Sequence, residues 1–301
     1  MKDRIIEFAK NKGFDDIRFA AAAALQKQGL SGGAARPETL VVDPKDIMAD
    51  AKSVIVLFYR YAPAAESENG WMNVSEYNRS SNRAYHMAKD ITAFLIENGA
   101  KAKLDWRLYA KGTAKLTGGF EGRNGLYYHE TLGSLVCIQT VITDMVLAQD
   151  YGKGEDRCGS CRACIKACPA GAISMEQGLD VKKCLRAYMN GLVPEEMREG
   201  VYQLFGCEIC QAVCPLNKAT PVSPVCFKTS ELLKGMHLEE LAVQAGKNTA
   251  RSVRVISQAI LYAGAARDRA MLPYIQKQLG SDSNTVREHA AWAIKRLNGE
   301  L

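Results

Sequence analysis

The chain has 301 residues, of which 47% are hydrophobic and 24% charged, and it carries a net charge of +6. That balance is the one expected of an ordinary globular protein of two or three compact units. No apolar run approaches the roughly 18 residues that a membrane-spanning helix needs, and residues 1–10 are charged and lack the apolar stretch of a secretory signal, so the expected home is the cytoplasm, with no membrane partner.

Residues 2–12 predict an amphipathic helix with Ile5, Ile6, Phe8 and Ala9 on its apolar side. A short strand follows over 16–20, then a Gly- and Pro-containing connection over 26–46. Residues 53–61 (SVIVLFYRY) read as a strand buried on both faces. Residues 81–98 predict a helix with Ser81 as N-cap and Gly99 just past its end. A further strand is expected within 135–147, after the turn residues Gly133 and Ser134. Strands alternating with helices imply an α/β or α+β domain over residues 1–150. Residues 151–156 have linker character and open a cysteine-rich module that runs to 225. The remaining stretch, 226–301, is Ala- and Leu-rich, with helices expected over 251–263, 267–279 and 285–297. These fit one HEAT-type helical pair with an extra helix, too short for a full solenoid. The fold class expected is therefore α+β: an N-terminal α/β sandwich-like domain, a small metal-binding module and a helical tail.

The ten cysteines carry the chemistry. In a reducing compartment, clustered cysteines point to metal ligation or catalysis rather than disulfides. The first run is Cys158-x2-Cys161-x2-Cys164-x3-Cys168-Pro169, the spacing of bacterial ferredoxins, in which three thiolates hold one cubane and the fourth crosses to the other. The second is Cys207-x2-Cys210-x3-Cys214-Pro215, with Cys184 upstream in place of the usual first ligand. The ligand sets then close as Cys158, Cys161, Cys164 and Cys214 for one [4Fe–4S] cluster, and Cys168, Cys184, Cys207 and Cys210 for the other. Structural zinc also uses Cys-x2-Cys, but not this four-cysteine run ending in proline. Cys137, within a strand, and Cys226, after the module, read as small hydrophobic residues.

Beyond the cysteines, the residues resemble the epoxyqueuosine reductase family. The likeness lies in Cys158-Gly159-Ser160-Cys161, Cys168-Pro169-Ala170-Gly171-Ala172-Ile173, Lys183-Cys184-Leu185 and the stretch from Phe205 to Lys218. It extends to Glu76-Tyr77-Asn78-Arg79, Ala84-Tyr85-His86, Gly119-Phe120-Glu121-Gly122-Arg123-Asn124, Gly133-Ser134 and Val286 to Ala293. The wider relatives include reductive dehalogenases. The resemblance implies an N-terminal domain that binds cobalamin, two clusters that pass electrons to its cobalt, and removal of the epoxide oxygen from a modified tRNA nucleoside. It implies cofactor contacts at Tyr85, His86, Gly122, Arg123, Asn124 and Ser134. It places the catalytic acid before the glycine turn, on Asp105, although Asp105-Trp106-Arg107 lacks the Gly-Pro that follows this acid in the family.

Several of these residues have a second reading. An Asp beside Trp and Arg is an ordinary salt-bridged residue. Tyr85 and His86 lie on a helix whose apolar side includes Met87, Ile91 and Phe94, where packing is a sufficient role. Gly122-Arg123-Asn124-Gly125 is equally an anion- or amide-cradling turn and a plain Asn-Gly turn, and Ser134 is a turn serine ahead of a strand. The tail cations Arg251, Arg254, Arg267, Arg269, Lys277, Lys295 and Arg296 suit tRNA phosphates, yet they are interleaved with acids as on any solvated helix. No Gly-x-Gly-x-x-Gly follows a strand, so a nicotinamide site has no support. The expectation is a cobalamin-linked iron–sulfur reductase fed by a ferredoxin or flavodoxin, with tRNA as a partner. The alternatives are an electron carrier without a catalytic cofactor, and a reductase acting on a corrinoid protein or an organohalide.

Overall fold

The computed structural model describes residues 1–25, 39–152 and 154–301; most of the 26–46 connection lies outside them. The main N-terminal elements in chain order are α1 (Lys2–Lys12), β1 (Asp16–Ala21), β2 (Ser53–Arg60), β3 (Trp71–Val74), α2 (Glu76–Glu97), β4 (Ala102–Leu104), α3 (Ala110–Leu116) and β5 (Val136–Thr143). Four of the strands form one antiparallel sheet in the order β1-β2-β5-β4. The central strand β2 is apolar from Val54 to Phe58 because both its faces are covered there. Ile55 and Leu57 pack with Ile5 of α1 and with Ala84 and Ile91 of α2. Val54 packs with Ala22 and Leu108, and Val56 and Phe58 with Ala114 of α3 and Tyr127. The domain is mixed α and β, as expected, with its sheet fully antiparallel.

Helix α2 begins five residues earlier than its hydrophobic period predicts. The Ser75 hydroxyl accepts from the Asn78 N–H at 3.3 Å and caps the helix. The first turn, Glu76-Tyr77-Asn78-Arg79, is mostly polar because it faces the cysteine module, and that hides the start. The far end matches, with Asn98 as cap and Gly99 at φ +83°.

A second sheet joins distant segments of the chain. Strand β6 (Gln203–Leu204) runs parallel to β3 on one edge, and β7 (Cys226–Lys228) runs antiparallel to it on the other. Around it Met72, Val74, Leu204, Phe205 and Phe227 share one core with the tail residues Leu241, Val255, Ile260 and Trp292. The tail consists of α4 (Leu238–Ala245), α5 (Ser252–Ala265), α6 (Leu272–Lys277) and α7 (Asn284–Asn298). Helices α5 and α7 pack closely at Gly264, where a Cβ would come within 2.7 Å of the Trp292 ring. The helix expected over 267–279 is broken. Asp268 caps a 3-10 turn over Arg269–Met271, Pro273 occupies the first turn of α6, and a second 3-10 turn, Gln278–Gly280, ends it. His289, fully buried, pins the tail to the module: it accepts the Val193 N–H at Nε2, 3.0 Å away, and its Nδ1 lies 2.5 Å from the Ser257 hydroxyl. Among the described residues, no helix is long and apolar enough to cross a membrane.

Candidate metal centres and cofactor cavity

The eight clustered cysteines divide between two cavities. Cys158, Cys161, Cys164 and Cys214 line one, with Arg123, Asn124 and Tyr128. Cys168, Cys184, Cys207 and Cys210 line the other, with Arg186 and Gln211. These are the two sets that the ferredoxin spacing predicts, with the last cysteine of each run crossing over. The crossing comes from two short helices, Ala163–Ala167 and Ile209–Ala212, which pack against one another. Cys168 leaves its helix in extended conformation (φ −67°, ψ 114°), and Pro169 then prevents the helix from resuming.

The donor chemistry suits cubanes. Among the described residues, no three His, Cys, Asp or Glu side chains converge as a single ion requires; the thiols surround their cavities, as thiolates bound to separate irons of one cluster would. Burial first, and then the neighbouring cysteine charges, push the Cys207 thiol up to about 11 and Cys210 to about 12. Thiolates are therefore costly there without the compensating charge that bound iron provides. Donors already point at the sulfurs. The Arg123 N–H donates to Cys158 Sγ at 3.4 Å, the Ala172 N–H to Cys168 Sγ at 3.3 Å and the Tyr128 hydroxyl to Cys214 Sγ at 3.3 Å.

A third cavity, of about 280 Å³, lies between the N-terminal sheet and the module. Tyr77, Tyr109, Tyr127, Val136 and Ile138 give it aromatic and aliphatic walls, and Lys111, Ser134, Arg186 and Gln211 give it polar ones. It shares Gly125, Leu126, Arg186 and Gln211 with the second cluster cavity, whereas among the described residues the first cluster cavity shares only Asn124 with the second. The three therefore stand in series: outer cluster, inner cluster, third cavity. Apolar walls with a few polar groups suit the face and amide rim of a large planar macrocycle. At this volume the cavity takes part of such a ligand and does not enclose all of it.

The structure distributes the predicted site residues unevenly. Gly122, Arg123 and Asn124 form a turn closed by the Gly125 N–H donating to the Gly122 carbonyl at 2.8 Å, with Gly125 at φ +71°. A Cβ on Gly122 would strike the Tyr128 ring at 2.4 Å, so the close approach requires glycine. The turn faces the outer cluster. The Arg123 guanidinium donates to the Cys161 and Gly159 carbonyls at 2.6 and 2.8 Å, and Asn124 lines both cluster cavities. Ser134 lines the third cavity and docks the module, since the Asn217 side-chain oxygen accepts its N–H at 2.7 Å and Gln211 donates to its carbonyl at 2.7 Å.

Tyr85 and His86 lie elsewhere. Both are exposed on α2, their rings 5.6 Å apart, and neither lines any of the three cavities. The reason is helical phase: Ala84, Ala88 and Ile91 face the sheet, which turns positions 85 and 86 outward. Asp105 is likewise outside the cavities. It accepts from the Arg107 N–H, Nε and Nη2 at 3.0, 2.9 and 2.7 Å, and these bonds hold it below the usual carboxylate range despite its burial. A carboxylate so held is an acceptor with no proton to give at neutral pH.

Of the tail cations, three are engaged internally. Arg254 stacks over the Phe205 ring at 4.9 Å, Arg269 donates to the Leu297 carbonyl at 3.0 Å, and Arg296 pairs with Glu199 at 2.7 Å. Arg251, Arg267, Lys277 and Lys295 are exposed. Tyr77, Tyr109, Lys111, Arg186 and Gln211 were not singled out by sequence; Tyr77 and Gln211 lie in segments that carry the family resemblance, whereas Arg186 follows Cys184 with no motif of its own.

Residues 157–217 match the model of a 4Fe-4S double cluster binding domain, and the chain carries two such clusters. An epoxyqueuosine reductase of Bacillus anthracis is 27% identical over 343 residues, covering 100% of this chain and 90% of that protein. That of Leadbetterella byssophila is 32% identical over 209 residues, covering 64% of this chain and 68% of that protein. Among solved structures, an epoxyqueuosine reductase with an epoxyqueuosine-modified tRNA-Tyr stem loop superposes with a TM-score of 0.77 at 26% identity, over 98% of this chain and 90% of that one. A reductive dehalogenase described as B12-dependent shares the fold at 18% identity, with a TM-score of 0.52 over 95% of this chain and 37% of its own. The cluster cysteines, the serial cavities and these likenesses agree, and the chain belongs to the epoxyqueuosine reductase family.

Proposed function

We propose that the protein reduces epoxyqueuosine in tRNA to queuosine, using two [4Fe–4S] clusters and a cobalamin held at the third cavity. The observation that carries this reading is the serial arrangement, with an aromatic cavity directly behind the inner cluster and sharing its wall at Arg186 and Gln211. An electron carrier needs clusters near its surface; it has no use for such a cavity. Removing an epoxide oxygen as water consumes two electrons and two protons, while each cubane passes one electron at a time. A corrinoid bound at the cavity supplies the metal that joins these single electrons to a two-electron reduction.

The chain's own residues bind, orient and hold protons. Tyr77, Tyr109 and Tyr127 offer ring faces, and Ser134, Gln211 and Lys111 offer polar contacts to amides. Burial keeps the Tyr77 and Tyr127 hydroxyls protonated well beyond neutral pH, and Lys111 is held by Glu121 at 2.7 Å. Protons for the oxygen come from this lining and not from Asp105. We read α5 and α7 as a HEAT-type pair whose exposed Arg251, Arg267, Lys277 and Lys295 contribute to tRNA binding, and a ferredoxin or flavodoxin in the cytoplasm as the donor.

The test is turnover: iron-reconstituted protein with cobalamin, a low-potential reductant and an epoxyqueuosine-containing stem loop, followed by nucleoside mass spectrometry. Loss of one oxygen from the nucleoside is the expected result, retained in D105N and reduced in Y109F. An unaltered nucleoside from protein with full iron and bound corrinoid would assign another substrate to the site.

A further inference from the structure

Arg186 stands in the wall between two cavities. It follows the ligand Cys184 by two residues, in the short helix Leu185–Tyr188, and lines both the inner cluster cavity and the third cavity. Its guanidinium lies 4.2 Å from the centre of the Tyr77 ring. Among the described residues no carboxylate comes within ion-pairing distance of it. The carboxylate of Glu208, next to the ligand Cys207, is engaged by the Ser75 hydroxyl at 2.5 Å and the Tyr77 N–H at 3.0 Å.

Arg186 is half-buried, and a partly desolvated cation with no paired anion is favoured where negative charge stands nearby. A cubane on four thiolates is that charge, and it becomes more negative by one on reduction. A partly buried cation beside it therefore favours the reduced state. The outer cluster has cations too, but differently placed. Arg123 is engaged by the Cys161 and Gly159 carbonyls, and Arg157 is exposed, donating to the Glu130 carbonyl at 3.0 Å. Arg186 and Arg123 are both half-buried, so the difference lies in their partners: carbonyl dipoles take up the Arg123 charge, water screens Arg157, and the Arg186 charge is left to the inner cluster.

Resting on the two-cluster reading, we propose that Arg186 is a positioning residue that raises the reduction potential of the inner cluster above that of the outer one, so that electrons run inward to the third cavity. In each transfer the outer cluster, reduced by a one-electron donor, is reoxidised as the inner cluster takes up the electron; no bond or proton changes hands.

The experiment is an EPR-monitored redox titration of the full-length, iron-reconstituted protein with dithionite as reductant, after iron has been quantified. In the wild type two one-electron waves are expected. R186Q lowers the midpoint of the higher wave and leaves the other in place, R186K restores most of the shift, and E208Q, which removes a negative charge on the same side, moves that wave upward. Unshifted waves in R186Q at full iron content would overturn the proposal. So would an R186K protein that behaves as R186Q, since packing and not charge would then be at work, or a shift in the wave that C214A abolishes. If R186Q fails to hold its clusters, R186M, which keeps the side chain's bulk without its charge, decides: the same lowered wave supports the proposal and an unshifted one overturns it. Protein that takes up no clusters even as wild type would contradict the two-cluster reading instead.

Discussion

The Tyr128 hydroxyl donates to Cys214 Sγ at 3.3 Å while accepting from the Asn124 side chain at 3.0 Å. The phenol is buried against Phe120, with ring centres 5.1 Å apart, and its hydroxyl is held among Cys214, Asn124 and Ser134. A hydrogen bond to a cluster sulfur stabilises the more negative, reduced state. Y128F should therefore lower the outer cluster's potential, by about 1 kcal/mol or some tens of mV, and leave the inner wave unmoved. Titration of the two EPR signals checks this; an unchanged outer wave would count against a bond to a ligating sulfur.

The crossing of the ligand sets predicts a paired result. C214A should lose the outer cluster and C184A the inner one, each reducing iron from about eight to about four per chain. The two variants should keep different EPR signals. If both lose the same signal, the sets Cys158, Cys161, Cys164 and Cys214 against Cys168, Cys184, Cys207 and Cys210 are misassigned.

Tail cations should separate by burial. R254E places a carboxylate where a guanidinium stacks on Phe205, and it should destabilise the fold by roughly 2–4 kcal/mol, lowering the unfolding temperature whether or not RNA is present. R251E and K295E, at exposed positions, should leave thermal unfolding unchanged and weaken stem-loop binding, with a shallower salt dependence. Calorimetry and binding at two salt concentrations distinguish the two classes.

His289 gives the tail a pH dependence. Burial, and then the charge of Arg198, lower its pKa from 6.5 to about 4. The unfolded chain therefore takes up a proton below about 6.5 that the folded protein refuses until about 4. The stability is fully present above 6.5 and falls by roughly 3 kcal/mol as pH drops from 6.5 to 4. Denaturant unfolding of wild type and H289Q across that range should show the slope in the wild type and a smaller one in the variant.

Much of this was legible in the chain, for reasons that differ by element. The cysteine sets could be read because cubane ligation depends on short fixed spacings, and the apolar run of β2 because both its faces are covered. The start of α2 was not legible, since Ser75 to Arg79 is polar where it meets the module and breaks the helical period. Tyr85 and His86 were drawn by resemblance onto a helix face that its phase turns outward, while Tyr77, two turns earlier, lines the cavity. Asp105 was drawn in by resemblance, while the salt-bridged reading that its neighbour Arg107 also offered is the arrangement the structure has. Arg186 was invisible because its significance lies in what two separate cavities share, which no local pattern encodes.

The most direct test of the whole account is whether anaerobic, iron-reconstituted protein binds cob(II)alamin, followed by the EPR and absorption spectra of the corrinoid. The account predicts a saturable spectral change at one corrinoid per chain, weakened by substitution at Tyr77 or Ser134 in the third cavity and insensitive to Y85F and D105N. A corrinoid spectrum identical to that free in solution, with both clusters in place, would contradict it and leave an electron carrier.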